Sequence, residues 1–188
     1  TAILNNVALG FANVIPKGNV GVVSAAGTGL QEVSTLVAKS GVGITQGIGT
    51  GGRDLKKEVG GIMMLEGLKA LQQDPATEVI ALVSKPPAAE VVELILDQVA
   101  KSEKPTVVCF MGGDMSFVSA VENAIPARTL QEGALLAAKA AGAEIGDIQA
   151  IIAEETKRLQ SQARELQAAL KPEQKYLRGL FSGGTLCY

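Results

Sequence analysis

The chain has no histidine and no tryptophan in 188 residues, and aromatic side chains make up only 3% of it. Without imidazole, histidine acid–base chemistry, a phosphohistidine intermediate and a histidine-ligated metal are all excluded within these residues. Without large aromatics, the core has to be filled by Val, Ile, Leu and Ala, and a hydrophobic content of 47% is enough to build one. Cysteine is scarce: Cys109 and Cys187 stand alone with no motif spacing, so a reduced cytoplasmic setting is the simplest expectation. No close Cys, Asp and Glu cluster suggests a metal site, so none is expected. A net charge of −2 and the lack of a long basic run argue against nucleic acid and against an anionic membrane surface. No apolar run approaches the roughly 18 residues of a membrane span, and no signal peptide is apparent.

Glycine is plentiful, with 22 residues, and it is concentrated in two places. One segment runs from Gly18 through Val20-Gly21-Val22-Val23-Ser24-Ala25-Ala26-Gly27-Thr28 to Gly29. The other runs from Gly41 through Ile44-Thr45-Gln46-Gly47-Ile48-Gly49-Thr50 to Gly52. Each places a glycine-rich turn behind an apolar, strand-like run. A strand that ends this way and opens a helix leaves unpaired backbone N–H groups at a positive dipole end, which is a place for a phosphate or carboxylate.

Short Val/Ile-rich runs alternate with helical patterns, the signature of a parallel α/β sheet. Strands are expected at Asn19–Ser24, Val42–Gln46, Glu78–Ser84 and Thr106–Met111. Helices are expected at Gly29–Ser40, at Asp54–Gln73 with a break at Gly60-Gly61, at Ala88–Ser102 and at Leu130–Ala141. The predicted class is a flavodoxin-like or Rossmann-like α/β sheet, which binds ligands beyond the carboxyl ends of its strands. After Gly146, Asp147 is placed to cap a polar helix reaching toward Pro172, with too narrow an apolar stripe for a core element. Residues 147–171 therefore read as a linker helix. In the tail, Gly179-Leu180-Phe181-Ser182-Gly183-Gly184-Thr185-Leu186 echoes the Gly21–Leu30 stretch with one residue deleted. Residues 176–188 read as the start of a second, truncated domain, so the chain is expected to be a piece of a longer protein.

Ser24, Ala25, Ala26, Gly27 and Thr28 are candidate anion contacts through backbone N–H groups and hydroxyls. The same residues also suit a plain strand–turn–helix with Ser/Thr caps. Gly47, Gly49, Thr50, Gly51 and Gly52 could form a second wall or only a loop. Arg53 could clamp an anion in bidentate fashion or sit exposed beside a capping Asp54. Lys85 falls at a strand end, where ligands bind and where solvated lysines are also common. Gly112 and Gly113 could turn backbone toward a ligand, and Asp114 could orient a nitrogen nucleophile or hold Mg²⁺, although turn chemistry explains all three. Cys109 reads as core.

Several of these stretches, in order, resemble the ligase domain of succinyl-CoA synthetase alpha subunits across roughly residues 14–145: Val20–Glu32, the Gly47–Gly52 loop, Asp74-Pro75-Ala76-Thr77-Glu78 and Lys104-Pro105-Thr106-Val107-Val108. Gly60-Gly61-Ile62-Met63-Met64-Leu65-Glu66-Gly67-Leu68 and the tail from Leu177 resemble the FdrA group of acyl-CoA-synthetase-like proteins. That resemblance implies a component of a carbamoyl- or acyl-transferring enzyme of the oxamate carbamoyltransferase type, linked to purine-nitrogen catabolism. It implies CoA or carbamoyl phosphate as the anionic small-molecule partner; Lys85, Arg53 and Asp114 are catalytic candidates by their own positions at the strand ends and behind the glycine loop. It also implies further domains and other subunits as partners, with ligand sites between domains and no activity for this piece alone. The departures matter as well. Where synthetases carry a phosphorylated histidine, this chain has Val121-Glu122-Asn123-Ala124-Ile125-Pro126-Ala127-Arg128, and where they carry its glutamate partner it has Ser84-Lys85-Pro86-Pro87. An acyl-CoA ligase phosphorylated elsewhere and a non-catalytic interface scaffold stand as rival expectations.

Overall fold

The computed structural model describes residues 1–10, 13–176 and 178–187. Its centre is one seven-stranded sheet in the order β2-β1-β4-β3-β5-β6-β7. The strands are β1 (Ala2–Leu4), β2 (Val7–Leu9), β3 (Lys17–Ser24), β4 (Ile44–Gly49), β5 (Val79–Ser84), β6 (Thr106–Phe110) and β7 (Ala124–Pro126). Five helices accompany them: α1 (Gly27–Lys39), α2 (Ile62–Gln73), α3 (Ala89–Val99), α4 (Leu130–Ala140) and α5 (Ile148–Ala168).

β3 to β7 are mutually parallel, and the order 4-3-5-6-7 is the flavodoxin-like pattern. The near-continuous apolar strands predict this arrangement. All six residues of β5 and all five of β6 are buried, which requires helices on both faces. One core joins Val20, Val22, Leu30, Val33, Val37 and Ala134 beneath α1 and α4. The other joins Val23, Met64, Leu68, Ile80, Leu82, Val91 and Ile95 beneath α2 and α3. In α3 the buried residues Val91, Ile95, Leu96 and Val99 fall on one helical stripe. Each fully buried aliphatic side chain contributes about 1.5–3 kcal/mol. Cys109 belongs to the core beneath α1 and α4, buried as expected; burial first, and then the nearby Glu132 charge, push its thiol up to about 12.

Four parallel strands are expected from the sequence, and three short ones are added to them. β1 and β2 form an antiparallel hairpin on the edge at β4, so the sheet recruits residues ahead of position 14. The hairpin turns at Asn5 and Asn6, both with positive φ (49° and 66°), a pairing suited to a tight hairpin turn. β7 has only three residues and ends in Pro126, which suits an edge strand.

The second helix also starts later than expected, at Ile62 rather than Asp54. Gly61, at the helix N-cap with φ of 73°, has no side chain to cap with. The buried Asp54 carboxyl supplies the cap from a distance, accepting from the N–H groups of Met63 at 2.9 Å and Met64 at 2.8 Å. Asp147 does cap α5, accepting from Gln149 and Ala150. Only Ile148 of that helix is buried, which agrees with a polar helix outside the core.

Candidate functional site

From β3 the chain crosses through α1 to β4 on one side, and from β4 it crosses through α2 to β5 on the other. The carboxyl ends of β3 and β5 are therefore adjacent at the point where strand order reverses, the usual ligand crevice of such sheets. Ser24 pairs with Val83 across the ladder, and the Ala25 N–H donates to the Val83 carbonyl at 3.0 Å. Beyond this junction lies a groove of about 910 Å³. Its walls are Ala25–Thr28, the segment Ser84–Ala88, the loop residues Gly52 and Leu55–Glu58, and Gly183–Thr185 of the tail.

At the floor, Ser24 is completely buried, and its hydroxyl donates to the Ala26 carbonyl and accepts from the Ala26 N–H. Its hydroxyl is consumed in shaping the turn, so the expected hydroxyl contact with an anion falls to Thr28, which lines the groove. Among the described residues, the N–H groups of Gly27, Thr28 and Gly29, the first three residues of α1, make no hydrogen bond. Gly27 is exposed, and a Cβ there would meet nothing closer than the Thr1 hydroxyl at 3.9 Å. The turn is thus open to a ligand at its helix end.

Lys85 directly follows β5 and lines the groove together with Lys56, Lys57 and Glu58. The Glu90 carboxylate, by its hydrogen bond and its charge, holds the Lys57 ammonium above its ordinary value. The tail closes one side. Thr185 is only 7% exposed, and a Cβ on Gly183 would fall 2.3 Å from the Thr28 methyl. A Cβ on Gly184 would lie 3.4 Å from the Lys85 Nζ.

The second glycine run does not form a matching wall. Gly47 and Gly49 lie inside β4, where the expected glycine turn into a helix is absent. A Cβ on Gly49 would sit 2.5 Å from the Thr1 carbonyl oxygen, so this glycine permits close approach of the N-terminal strand. Thr50 and Gly51 follow the strand. The Thr50 N–H donates to the Ser24 carbonyl at 2.9 Å, and its buried hydroxyl has no partner among the described residues. Of this run only Gly52 lines the groove. Arg53 is exposed and is not among the groove-lining residues, while Asp54 beside it is the α2 cap. The clamp expected of Arg53 is not assembled, because the chain turns Lys56 and Lys57 to the groove instead.

Gly112, Gly113 and Asp114 lie after β6, outside this groove. Gly113 and Asp114 line a neighbouring pocket that shares Pro86 and Pro87 with it. Hydrogen bonds from the Ser116 N–H and then its hydroxyl hold the Asp114 carboxyl below its ordinary value. Sequence reasoning missed Lys56, Lys57 and Ser84 as lining residues, and it missed the contact of the tail with the first turn. The echo between the two segments singles out the residues that touch, but not the contact itself. The described residues after Ala168 form no strand or helix; Gly183–Leu186 make a turn closed by the Leu186 N–H on the Gly183 carbonyl.

A parallel α/β sheet with an open helix N-terminus over a groove at its switch point is a Rossmann-like, doubly wound architecture, a fold in which ligand sites lie beyond the carboxyl ends of the strands. The chain belongs to the CoA binding domain family, whose model matches residues 16–113. It is 43% identical over 194 residues to the uncharacterized protein YahF of Escherichia coli (strain K12), covering 100% of this chain and 35% of that protein. The chain thus spans about a third of the length of that relative. Among solved structures, it is similar to the dinucleotide-forming acetyl-coenzyme A synthetase 1 of Ca. Korarchaeum cryptofilum in complex with phosphate and ADP. There the TM-score is 0.42 at 18% identity, over 73% of this chain and 25% of that one. It is also similar to the ATP citrate lyase of Methanothrix soehngenii in complex with citrate and coenzyme A, with a TM-score of 0.45 at 19% identity, over 92% and 29% of the two chains. The family match supports the CoA part of the expectation and lends nothing to carbamoyl transfer. The FdrA resemblance continues to rest on the motifs that suggest it. Among the described residues no helix is long and apolar enough to cross a membrane.

Proposed function

We propose that this domain binds the phosphate-bearing part of CoA, or of an acyl phosphate, as one component of an acyl-CoA-ligase-like protein. The observation that carries the reading is the first turn of α1. Its three N–H groups take no internal bond, and its residues Gly27 and Thr28 line a groove that also receives Lys56, Lys57 and Lys85. A phosphate there gains charge-assisted hydrogen bonds from the backbone and the favourable end of the helix dipole. Membership of the CoA binding domain family supports the same ligand. Lys85 would help neutralise the phosphate.

Gly27→Asp separates ligand binding from folding. An acidic residue in the first turn of a helix favours the helix, and the site has room for a Cβ. The same charge repels a phosphate. Calorimetric titration of the chain with CoA is expected to show affinity at least about tenfold weaker in this variant, with the thermal midpoint unchanged or raised. CoA binding that is indifferent to Gly27→Asp would refute the reading.

A further inference from the structure

Aromatic side chains are rare in this chain, yet two of its four phenylalanines line one pocket. This pocket has a volume of about 440 Å³ and lies beside the phosphate groove, with Pro86 and Pro87 as the shared wall. Its larger apolar lining residues are Val92 and Leu96 of α3, Phe110 at the end of β6 and Phe117 beyond it. Phe110 is 1% exposed, whereas Phe117 remains 39% exposed at the opening. The size falls within the usual range for small-molecule sites, roughly 300–1,000 Å³.

The charges at this pocket are one-sided. Glu93 and Asp114 are both exposed lining residues, and none of the described lining residues is basic. Asp114, an exposed carboxylate, is ionised at neutral pH, and the Ser116 N–H and hydroxyl hold it below its ordinary value. An apolar cavity edged by two carboxylates accepts an uncharged group and repels a carboxylate-bearing one. The contrast with the neighbouring groove, which carries three lysines, divides one ligand into two parts.

We infer that this pocket holds a neutral apolar group, aliphatic or aromatic, of an acyl thioester or amide, and that it discriminates against dicarboxylate-type acyl groups such as succinyl. The inference deepens the proposed function, because the phosphate groove next door would hold the anionic remainder of the same ligand.

The test uses two probes of nearly equal shape, benzamide and benzoate, on the full chain with labelled valine and leucine methyl groups. Benzamide is expected to shift the Val92 and Leu96 methyl resonances saturably, and benzoate to bind about fivefold more weakly. The double variant Glu93→Gln/Asp114→Asn should erase that difference. Phe117→Ala, at a partly exposed position, should weaken benzamide about threefold or more with little change in the melting midpoint. Saturable benzamide shifts with the benzoate penalty confirm the pocket. Equal binding of the two probes, a penalty that survives the double variant, or no saturable shift, as expected if a protein surface covers this face instead, would overturn it. Titration with CoA is scored separately. If CoA does not bind while benzamide does, the phosphate reading fails and the pocket stands. If CoA binds, benzoyl-CoA should bind about fivefold tighter than succinyl-CoA.

Discussion

The two glycine-rich runs look alike in sequence and do different work in the fold. In the first, Ser24–Gly29 carries β3 into α1 and leaves three N–H groups over a groove. In the second, Gly47 and Gly49 stay within β4, and Gly49 is small because the Thr1 backbone presses against it. Gly43, just ahead of β4, is in equally close contact: a Cβ there would sit 2.3 Å from the Pro16 carbonyl oxygen. The Gly27 end of the first run leaves backbone donors open over the groove, whereas Gly18 at its start and Gly43 and Gly49 of the second run let backbones approach. Composition does not separate these roles; the distance from strand end to helix start does. α1 begins three residues after Ser24, whereas α2 begins thirteen residues after Gly49, and a distant Asp54 has to cap it.

The comparison can be broken most forcefully at Gly43. With backbone as the obstructing neighbour, Gly43→Val is expected to cost about 3 kcal/mol or more, or to abolish folding, as read by chemical denaturation. Asp54→Ala comes next. It leaves the Met63 and Met64 N–H groups without their acceptor in a largely buried setting, so a loss of about 2 kcal/mol is expected in the same experiment. Gly41→Ala is milder, since the site is spacious and only its φ of 84° is unfavourable for a side chain; a loss of about 1 kcal/mol is expected.

The smallest effect is a pH dependence at the Asp74–Thr77 turn, which pairs with Thr45 of the second run. Thr77 donates to Asp74 at 2.9 Å and pairs with Thr45 of β4 at 2.6 Å. Burial works against ionisation of Asp74, but hydrogen bonds from Ala76, Thr77 and Gln46 and the Lys104 charge together outweigh it and leave the carboxyl below its ordinary 3.8. A folded-state value below the unfolded one adds stability above the unfolded value, and that stability is lost as pH falls through the folded value. Denaturation midpoints should therefore drop slightly as pH is lowered below about 4, and Thr77→Val should flatten the dependence. A midpoint that rises on acidification would contradict the assignment.

The parallel sheet was legible because strands covered on both faces must be apolar at every position, as β5 and β6 are. The α3 stripe and the Asp147 cap were legible for equally local reasons. The edge hairpin and β7 were not, since three-residue strands carry too few positions to show a period. Of the candidate site, the Ala25–Thr28 turn and Lys85 do come together at the groove. Arg53 joins no shared wall, and Gly112–Asp114 belong to the adjoining pockets. Those placements depend on where separate loops converge, and spacing along the chain does not encode that. The docking of Gly183–Thr185 on Thr28 is the same kind of long-range fact, joining positions more than 150 residues apart.

The central claim is that the Ser24–Gly29 turn of the first run serves the ligand, whereas the second run serves the fold. It is tested most directly by calorimetric titration of CoA into Gly27→Asp and Gly41→Ala side by side, each with its thermal midpoint. For Gly27→Asp, at least about tenfold weaker CoA binding with undiminished stability is expected. For Gly41→Ala, unchanged CoA binding with lowered stability is expected. Unaltered affinity in Gly27→Asp, or a loss of affinity in Gly41→Ala alone, would contradict the claim.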